Sequence, residues 1–314
     1  MQEEPTLTAA YVTATINGSH GSLDLAPDGY MPEGRVAAMF KHCCGYGAAA
    51  GGLNGAPAMV TERDIREIYL KPWRRAAAMG GRGVMPSHQT TLNIPCHGNH
   101  WLLTETLRKE VNWSLAYVLS DTGDVAMLGP TGFRVATDEA DAEAKALNAG
   151  VDVAQVEPCF TQLQSALDRG LTTQATLDAA VGRVLNHKFS AGLFDTPYVD
   201  ESLAAKLVGD SRHRALALRA AEEGSVLLQN QRATLPLKAD GSLRVAVVGP
   251  NGGCADGDPQ PPAMCDAQRN MLGNYAESSA PPLGVPTVAE ALGASGHARS
   301  VSYSRGWYEI LTEI

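Results

Sequence analysis

The chain has 314 residues, is 44% hydrophobic and carries a formal net charge of -9. This length and apolar content suit two domains with cores of their own, while an acidic chain without a basic stripe argues against nucleic acid and anionic membrane surfaces. No apolar run approaches the ~20 residues needed to cross a bilayer, and Met1-Gln-Glu-Glu-Pro5 lacks the basic start and apolar core of a signal peptide.

In chain order, Val36–Phe40 is predicted as a strand that delivers Lys41-His42 and then a glycine-rich loop, Gly45 to Gly55. Thr61 heads a helix whose orphan amides its hydroxyl can cap. Ile65, Ile68, Tyr69 and Trp73 recur at helical spacing as one buried face, and Pro72 is expected to kink that helix or end it early. Gly83–Pro86 is the second strand, Trp101–Val111 a helix with Leu103, Leu107 and Val111 on one side, and Ala116–Ser120 the third strand, ending on Asp121. An alanine-rich helix over Thr137–Asn148 and the short segment Gly150–Val153 follow. Strand and helix alternate, which implies a parallel sheet with helical crossovers. Helices are expected near Phe160–Arg169 and Thr173–Phe189, the second with Leu177, Val181, Val184 and Leu185 on its apolar face and Gly192 as its stop. Ala191–Pro197 reads as an extended linker, with a domain boundary near 195–210. Beyond it a helix over Arg212–Glu223 and strands over Ser225–Gln229 and Arg244–Val248 are predicted.

A carboxylate at the C-terminal lip of a buried strand is where an α/β barrel keeps its chemistry. Asp121 and Lys41-His42 are placed alike, as an anionic nucleophile and a polar clamp facing one pocket, and the pattern reads as sugar chemistry. The remaining polar features have plainer readings. None of the six cysteines forms C-x-x-C, so no structural zinc site is expected. Cys43-Cys44 reads as two small buried hydrophobes rather than metal ligands. Cys254 and Cys265 flank a polar loop that a disulfide would close in an oxidising compartment, and Asn17-Gly-Ser19 and Asn112-Trp-Ser114 are sequons. His97 and His100 flank Asn99 in a loop that reads as a helix cap. Glu62, Arg63 and Asp64 read as first-turn charges. The Gly45–Gly52 loop lacks the G-x-G-x-x-G register of a phosphate cradle.

Several stretches, in order, resemble glycoside hydrolase family 3. They include Lys41-His42 with Asn54-Gly-Ala-Pro57, Val84-Met-Pro-Ser87, Leu119-Ser-Asp121 and Ala146-Leu-Asn-Ala-Gly-Val-Asp152. Arg183 to Asp195, Ala220 to Asn230 and Thr234-Leu-Pro-Leu237 continue the series. The resemblance implies an α/β fold: the C-terminal half of a (β/α)8 barrel over residues 1–195, a linker over 196–210, and the N-terminal part of a truncated α/β sandwich domain over 211–314. It implies a retaining mechanism with Asp121 as the nucleophile, and no metal or organic cofactor. Lys41 and His42 match residues that bind sugar hydroxyls. Met85 and Ser87 fall in the wall segment after the sixth barrel strand, and His88 stands where many members carry an aromatic residue. A retaining site needs its second carboxyl group about 5–5.5 Å from the first; the family's acid/base glutamate is expected beyond the C-terminus, and neither Glu309 nor Glu313 is assigned to it. Thr122, in place of a tryptophan common in glucosidase-type members, and Met271-Leu-Gly-Asn-Tyr275 point to the β-xylosidase branch. The expectation is therefore an exo-β-glycosidase acting on xylo-oligosaccharides, with β-glucosidase as the alternative enzyme and a sugar-binding, inactive remnant as the third reading. The family is usually secreted. Since 35 residues precede Val36 where four barrel strands are expected, the chain reads as an internal portion of a longer hydrolase.

Overall fold

The computed structural model describes residues 4–21, 31–32, 34–155, 160–238, 240–255, 258, 264–273 and 285–306. Cys159, Asn274, Tyr275, Glu309 and Glu313 lie outside the described residues. The fold is mixed α/β, and the chain divides into two compact units, Met1–Leu203 and Ala204–Ile314. Among the described residues no helix is long and apolar enough to cross a membrane.

The first unit begins with helix α1 (Pro5–Ser19), which buries Val12 and Ile16. Strand β1 (Met39–Cys43) starts at Met39 rather than Val36, because Met39 is the first residue with a partner, Gly83. Lys41 and His42 therefore lie inside the strand, not after it. Helix α2 (Glu62–Asp64) opens with the expected capping: Thr61 Oγ1 accepts the Asp64 amide and Asp64 returns the bond to the Thr61 amide. A wider, π-type turn (Ile65–Tyr69) then leads into α3 (Leu70–Ala78). This turn explains two departures from the predicted pattern. Pro72 neither kinks nor ends α3, because the wide turn lies where its missing donor would be felt. The extra residue per turn also rotates Ile68 outward, leaving it 42% exposed, while Ile65, Leu70 and Trp73 stay buried.

Strand β2 (Gly83–Pro86) is buried throughout. A Cβ at Gly83 would lie 2.7 Å from Tyr117 Cζ and 2.9 Å from Met39 Cγ, so only glycine fits between the flanking strands. A small antiparallel hairpin follows, β3 (Thr90–Thr91) and β4 (Ile94–Pro95), turned by Leu92 and Asn93 with positive φ. The π-helical segment Trp101–Glu110 buries Leu102, Leu103 and Leu107. Strand β5 (Tyr117–Val118) completes a parallel sheet in the order β1-β2-β5. An isolated parallel bridge, Leu119 to Val153, is all that forms of the further strand segment.

Helix α4 (Glu139–Ala149) starts at its Asp138 cap and stops at Gly150, whose φ is 119°. After α5 (Leu163–Asp168), α6 (Gln174–Ser190) is capped by Thr173 and followed by Gly192 in the left-handed region. Its buried stripe is offset from the predicted one: Ala180 is buried, whereas Val181 and Leu185 are exposed. Helix α6 meets the sheet through His187, whose ring lies tilted against Tyr117 with centroids 4.8 Å apart. Residues 193–195 form turns rather than an extended linker, and α7 (Ser202–Leu207) is helical.

In the second unit α8 (Ser211–Gly224) is capped by Asp210. Strand β6 (Leu243–Val248) pairs in parallel with β7 (Ala298–Ser304), with α9 (Asp266–Leu272) and α10 (Val288–Ala294) between them in the chain. The Cys254–Cys265 disulfide forms as expected. The strand predicted over Ser225–Gln229 does not: it has no pairing partner among the described residues, and Val226 and Leu228 are exposed. Apolar content alone supplies no hydrogen-bonding edge.

Candidate active site

Because β1, β2 and β5 are parallel, their C-terminal ends share one edge of the sheet. Residues 42, 88 and 121, distant in sequence, become neighbours there. His42 Nε2 lies 3.2 Å and His88 Nε2 3.1 Å from Asp121 Oδ2. Asp121 is buried, and its other oxygen, Oδ1, accepts the Thr122 amide at 2.8 Å. Both imidazoles approach Oδ2 off the hydrogen-bonding directions, so this buried oxygen has no satisfied hydrogen bond. Such a group is costly in a merely structural setting.

Of the other residues singled out in the sequence, Lys41 is exposed on β1 and Met85 is buried within β2, in register with Lys41. Met85 thus belongs to the strand itself rather than to a segment after it. Burial lowers the His42 imidazole below its ordinary range; Asp121 opposes that shift, and Lys41 and His88 add to it. The Tyr46 ring lies beside His42, with centroids 4.8 Å apart. Ser87 turns inward, its hydroxyl donating to Gln89 Oε1 at 2.6 Å, and Gln89 Nε2 donates to the Gly45 carbonyl at 2.7 Å. This buried chain of polar groups ties the loop after β1 to the loop after β2. Cys43, Cys44 and Cys96 are buried apolar filling, and burial pushes the Cys96 thiol up to about 12.

Two residues beneath Asp121 carry no local sequence signal of their role. The Asp121 amide donates to His97 Nε2 at 3.0 Å, so that nitrogen is unprotonated and the ring proton sits on Nδ1. His97 Nδ1 is 3.2 Å from Asp124 Oδ2, and His88 Nδ1 approaches the same oxygen at 2.8 Å. Burial, with His88 and His42 nearby, drives the His97 imidazole down to about 3, which keeps it neutral. Burial also raises the Asp124 carboxyl; its bond from His88 pulls it back, and Asp121 adds to the rise. His97 is thus no helix cap. Asn99 alone serves that purpose, through Oδ1 to the Leu102 amide, and His100 bonds the Asn148 carbonyl instead. One ligand atom each from His88, Asp121 and Asp124 lies within 4.8 Å of the others, a spacing a cation can bridge, and the His88 ring itself lies between the two carboxylates here.

Residues 1–187 match the family described as the glycosyl hydrolase family 3 N-terminal domain. The chain is 34% identical over 258 residues to a β-xylosidase of Formosa agariphila, covering 79% of this chain and 35% of that protein. It is 31% identical over 290 residues to the periplasmic β-glucosidase of Salmonella typhimurium, covering 90% and 35%. Among solved structures, a β-glucosidase from Erythrobacter marinus superposes with a TM-score of 0.75 at 31% identity, over 96% of this chain and 38% of that one. The chain spans about a third of the length of the curated relatives it matches.

Proposed function

This chain belongs to glycosyl hydrolase family 3, and on that premise we propose that it carries the nucleophilic half of a retaining exo-β-glycosidase site, with Asp121 as nucleophile. The observation that carries this reading is the Asp121 carboxylate: buried, held by one backbone amide on Oδ1, and left with an unbonded Oδ2 at the C-terminal edge of a parallel sheet. In the step proposed, one Asp121 oxygen attacks the anomeric carbon as the bond to the leaving oxygen breaks, and that oxygen takes a proton from an acid. Water then resolves the glycosyl-enzyme with return of the carboxylate. Lys41 and His42 grip hydroxyls of the bound ring, with Met85 and His88 beside them, and the proton donor is left unassigned. On the same premise residues 1–195 are the C-terminal half of a (β/α)8 barrel, 196–210 a linker and 211–314 part of an α/β sandwich domain.

The substrate proposed is a β-xyloside or xylo-oligosaccharide. Thr122, where glucosidase-type members often carry tryptophan, and the likeness to the Formosa β-xylosidase favour it. A β-glucoside is the second reading, favoured by the likeness to the Salmonella β-glucosidase. The test is covalent trapping. The chain is incubated with dinitrophenyl 2-deoxy-2-fluoro-β-xyloside or the glucoside, followed by intact mass and peptide mapping. An adduct on Asp121 is expected, faster with the xyloside. Sugar binding with no adduct from either reagent, or an adduct elsewhere, would overturn the assignment.

A further inference from the structure

Asp124 Oδ2 is the meeting point of two imidazoles, each of which touches Asp121 at a different place. His97 reaches the Asp121 backbone amide, and His88 reaches the carboxylate. The proton positions follow from the donors and acceptors. A nitrogen that accepts an amide proton is bare, so His97 is protonated at Nδ1, facing Asp124. An ionised carboxylate only accepts, so His88 Nδ1, 2.8 Å from the same oxygen, is protonated too. A neutral His88 then has no proton left on Nε2, the nitrogen 3.1 Å from Asp121 Oδ2. The proton on Nδ1 and the off-direction approach of the ring agree: neither gives Asp121 Oδ2 a hydrogen bond from His88.

We propose that Asp124 is a positioning residue: by drawing the Nδ1 protons of His88 and His97, it fixes the Asp121 backbone through His97 and keeps His88 from capping the nucleophilic oxygen. Without Asp124, the released His88 ring can turn so that its Nε2 proton meets Asp121 Oδ2, the best acceptor left to it. A lone pair committed to that bond is withdrawn from attack. The orienting carboxylate thus acts on which oxygen stays open, not on the sugar.

The assignment rests on Asp121 as nucleophile only for its consequence; the proton positions are testable without any sugar. Two-bond proton–nitrogen spectra of the 15N-histidine-labelled chain at alkaline pH, where imidazoles are neutral, report each tautomer. His88→Gln and His97→Gln identify the two sets of signals. Wild type is expected to show both rings protonated at Nδ1. Asp124→Ala should move the His88 proton to Nε2 and slow fluoroglycoside trapping about 100-fold, the size typical of losing an orienting partner. Asp124→Asn retains an acceptor oxygen and should restore the His88 tautomer and most of the rate, a rescue that loss of folding would not give. A wild-type His88 protonated at Nε2, or an unchanged His88 tautomer in Asp124→Ala, overturns the proposal. If Asp124→Ala does not fold, the wild-type spectrum decides alone. A chain with the expected tautomers that takes no adduct refutes the glycosidase reading and leaves the role of Asp124 standing.

Discussion

Of the buried carboxylates in the first unit, Asp152 and Asp121 have surroundings that differ in kind. Asp152 is fully enclosed and every oxygen is engaged: Arg108 Nη2 and the Val118 amide bond Oδ2, each at 2.8 Å, and Arg183 Nε bonds Oδ1 at 2.9 Å. Arg108 extends the knot to the carbonyls of Ala116 and Gly150. Asp121 is buried as well, yet it faces imidazoles instead of guanidinium groups and retains an open oxygen. A buried charge that is completely paired holds strands and helices in register. One left partly open costs stability and is retained where chemistry uses it. The contrast teaches that burial alone does not mark a site; at Asp121 burial coincides with an open oxygen at the C-terminal edge of the sheet.

The sharpest way to break this comparison is to neutralise each acid in turn. Asp121→Asn should abolish fluoroglycoside trapping, a loss of at least about 10⁴-fold for a missing nucleophile. It should shift stability by no more than about 1 kcal/mol, because it also removes repulsion from Asp124. Urea unfolding and trapping on the same preparation check both halves; a variant that still labels at the wild-type rate would end the distinction.

The next effect separates the two neighbourhoods by pH. His97 is buried and neutral with its pKa driven to about 3, against about 6.5 in an unfolded chain. A depressed histidine pKa means that the unfolded chain binds the proton first. The stability from His97 is therefore complete above about pH 6.5 and is lost as pH falls towards 3, on the order of 4–5 kcal/mol in all and about 2 of it between pH 7 and 5. His97→Gln keeps an acceptor for the Asp121 amide and a donor for Asp124 but does not titrate. On acidification the urea midpoint of wild type should fall relative to that of the variant, and parallel curves would show that His97 does not titrate as its burial demands. Asp152→Ala comes next. It strands the buried Arg108 charge and should cost about 3–5 kcal/mol at neutral pH.

The alternation of apolar segments was enough to read the parallel sheet and to bring positions 42 and 121 to one edge, since parallel strands align their C-terminal ends; His88 entered only through the family resemblance. The bounds of β2, the cap at Thr61, the start of α6 near Thr173 and the Cys254–Cys265 pairing were legible for local reasons: turn residues, a hydroxyl cap, helical spacing and a short loop. His97 and Asp124 were not. Their role arises from contacts across 24 and 36 residues, which no period encodes. Hydrophobic spacing also missed the π-type turn that rotates Ile68 into solvent, and it offered Ser225–Gln229 as a strand although nothing described pairs with it.

The smallest effect tests whether the Asp152 knot is as redundant as its bonding implies. Arg183 approaches from α6 and places both Nε and Nη2 on the single oxygen Oδ1. Lysine in its place would supply one charge without the fork. Oδ2 would keep Arg108 and the Val118 amide, so the carboxylate would remain paired and anchored. Arg183→Lys should therefore cost only about 1 kcal/mol, the scale of one charge-assisted bond replaced by a weaker one, and leave trapping at Asp121 unchanged. A loss matching that of Asp152→Ala would mean that Arg183, rather than Arg108, neutralises the buried acid. Slowed trapping would mean that the knot and the open carboxylate are coupled through β5, the strand that runs from Val118 towards Asp121.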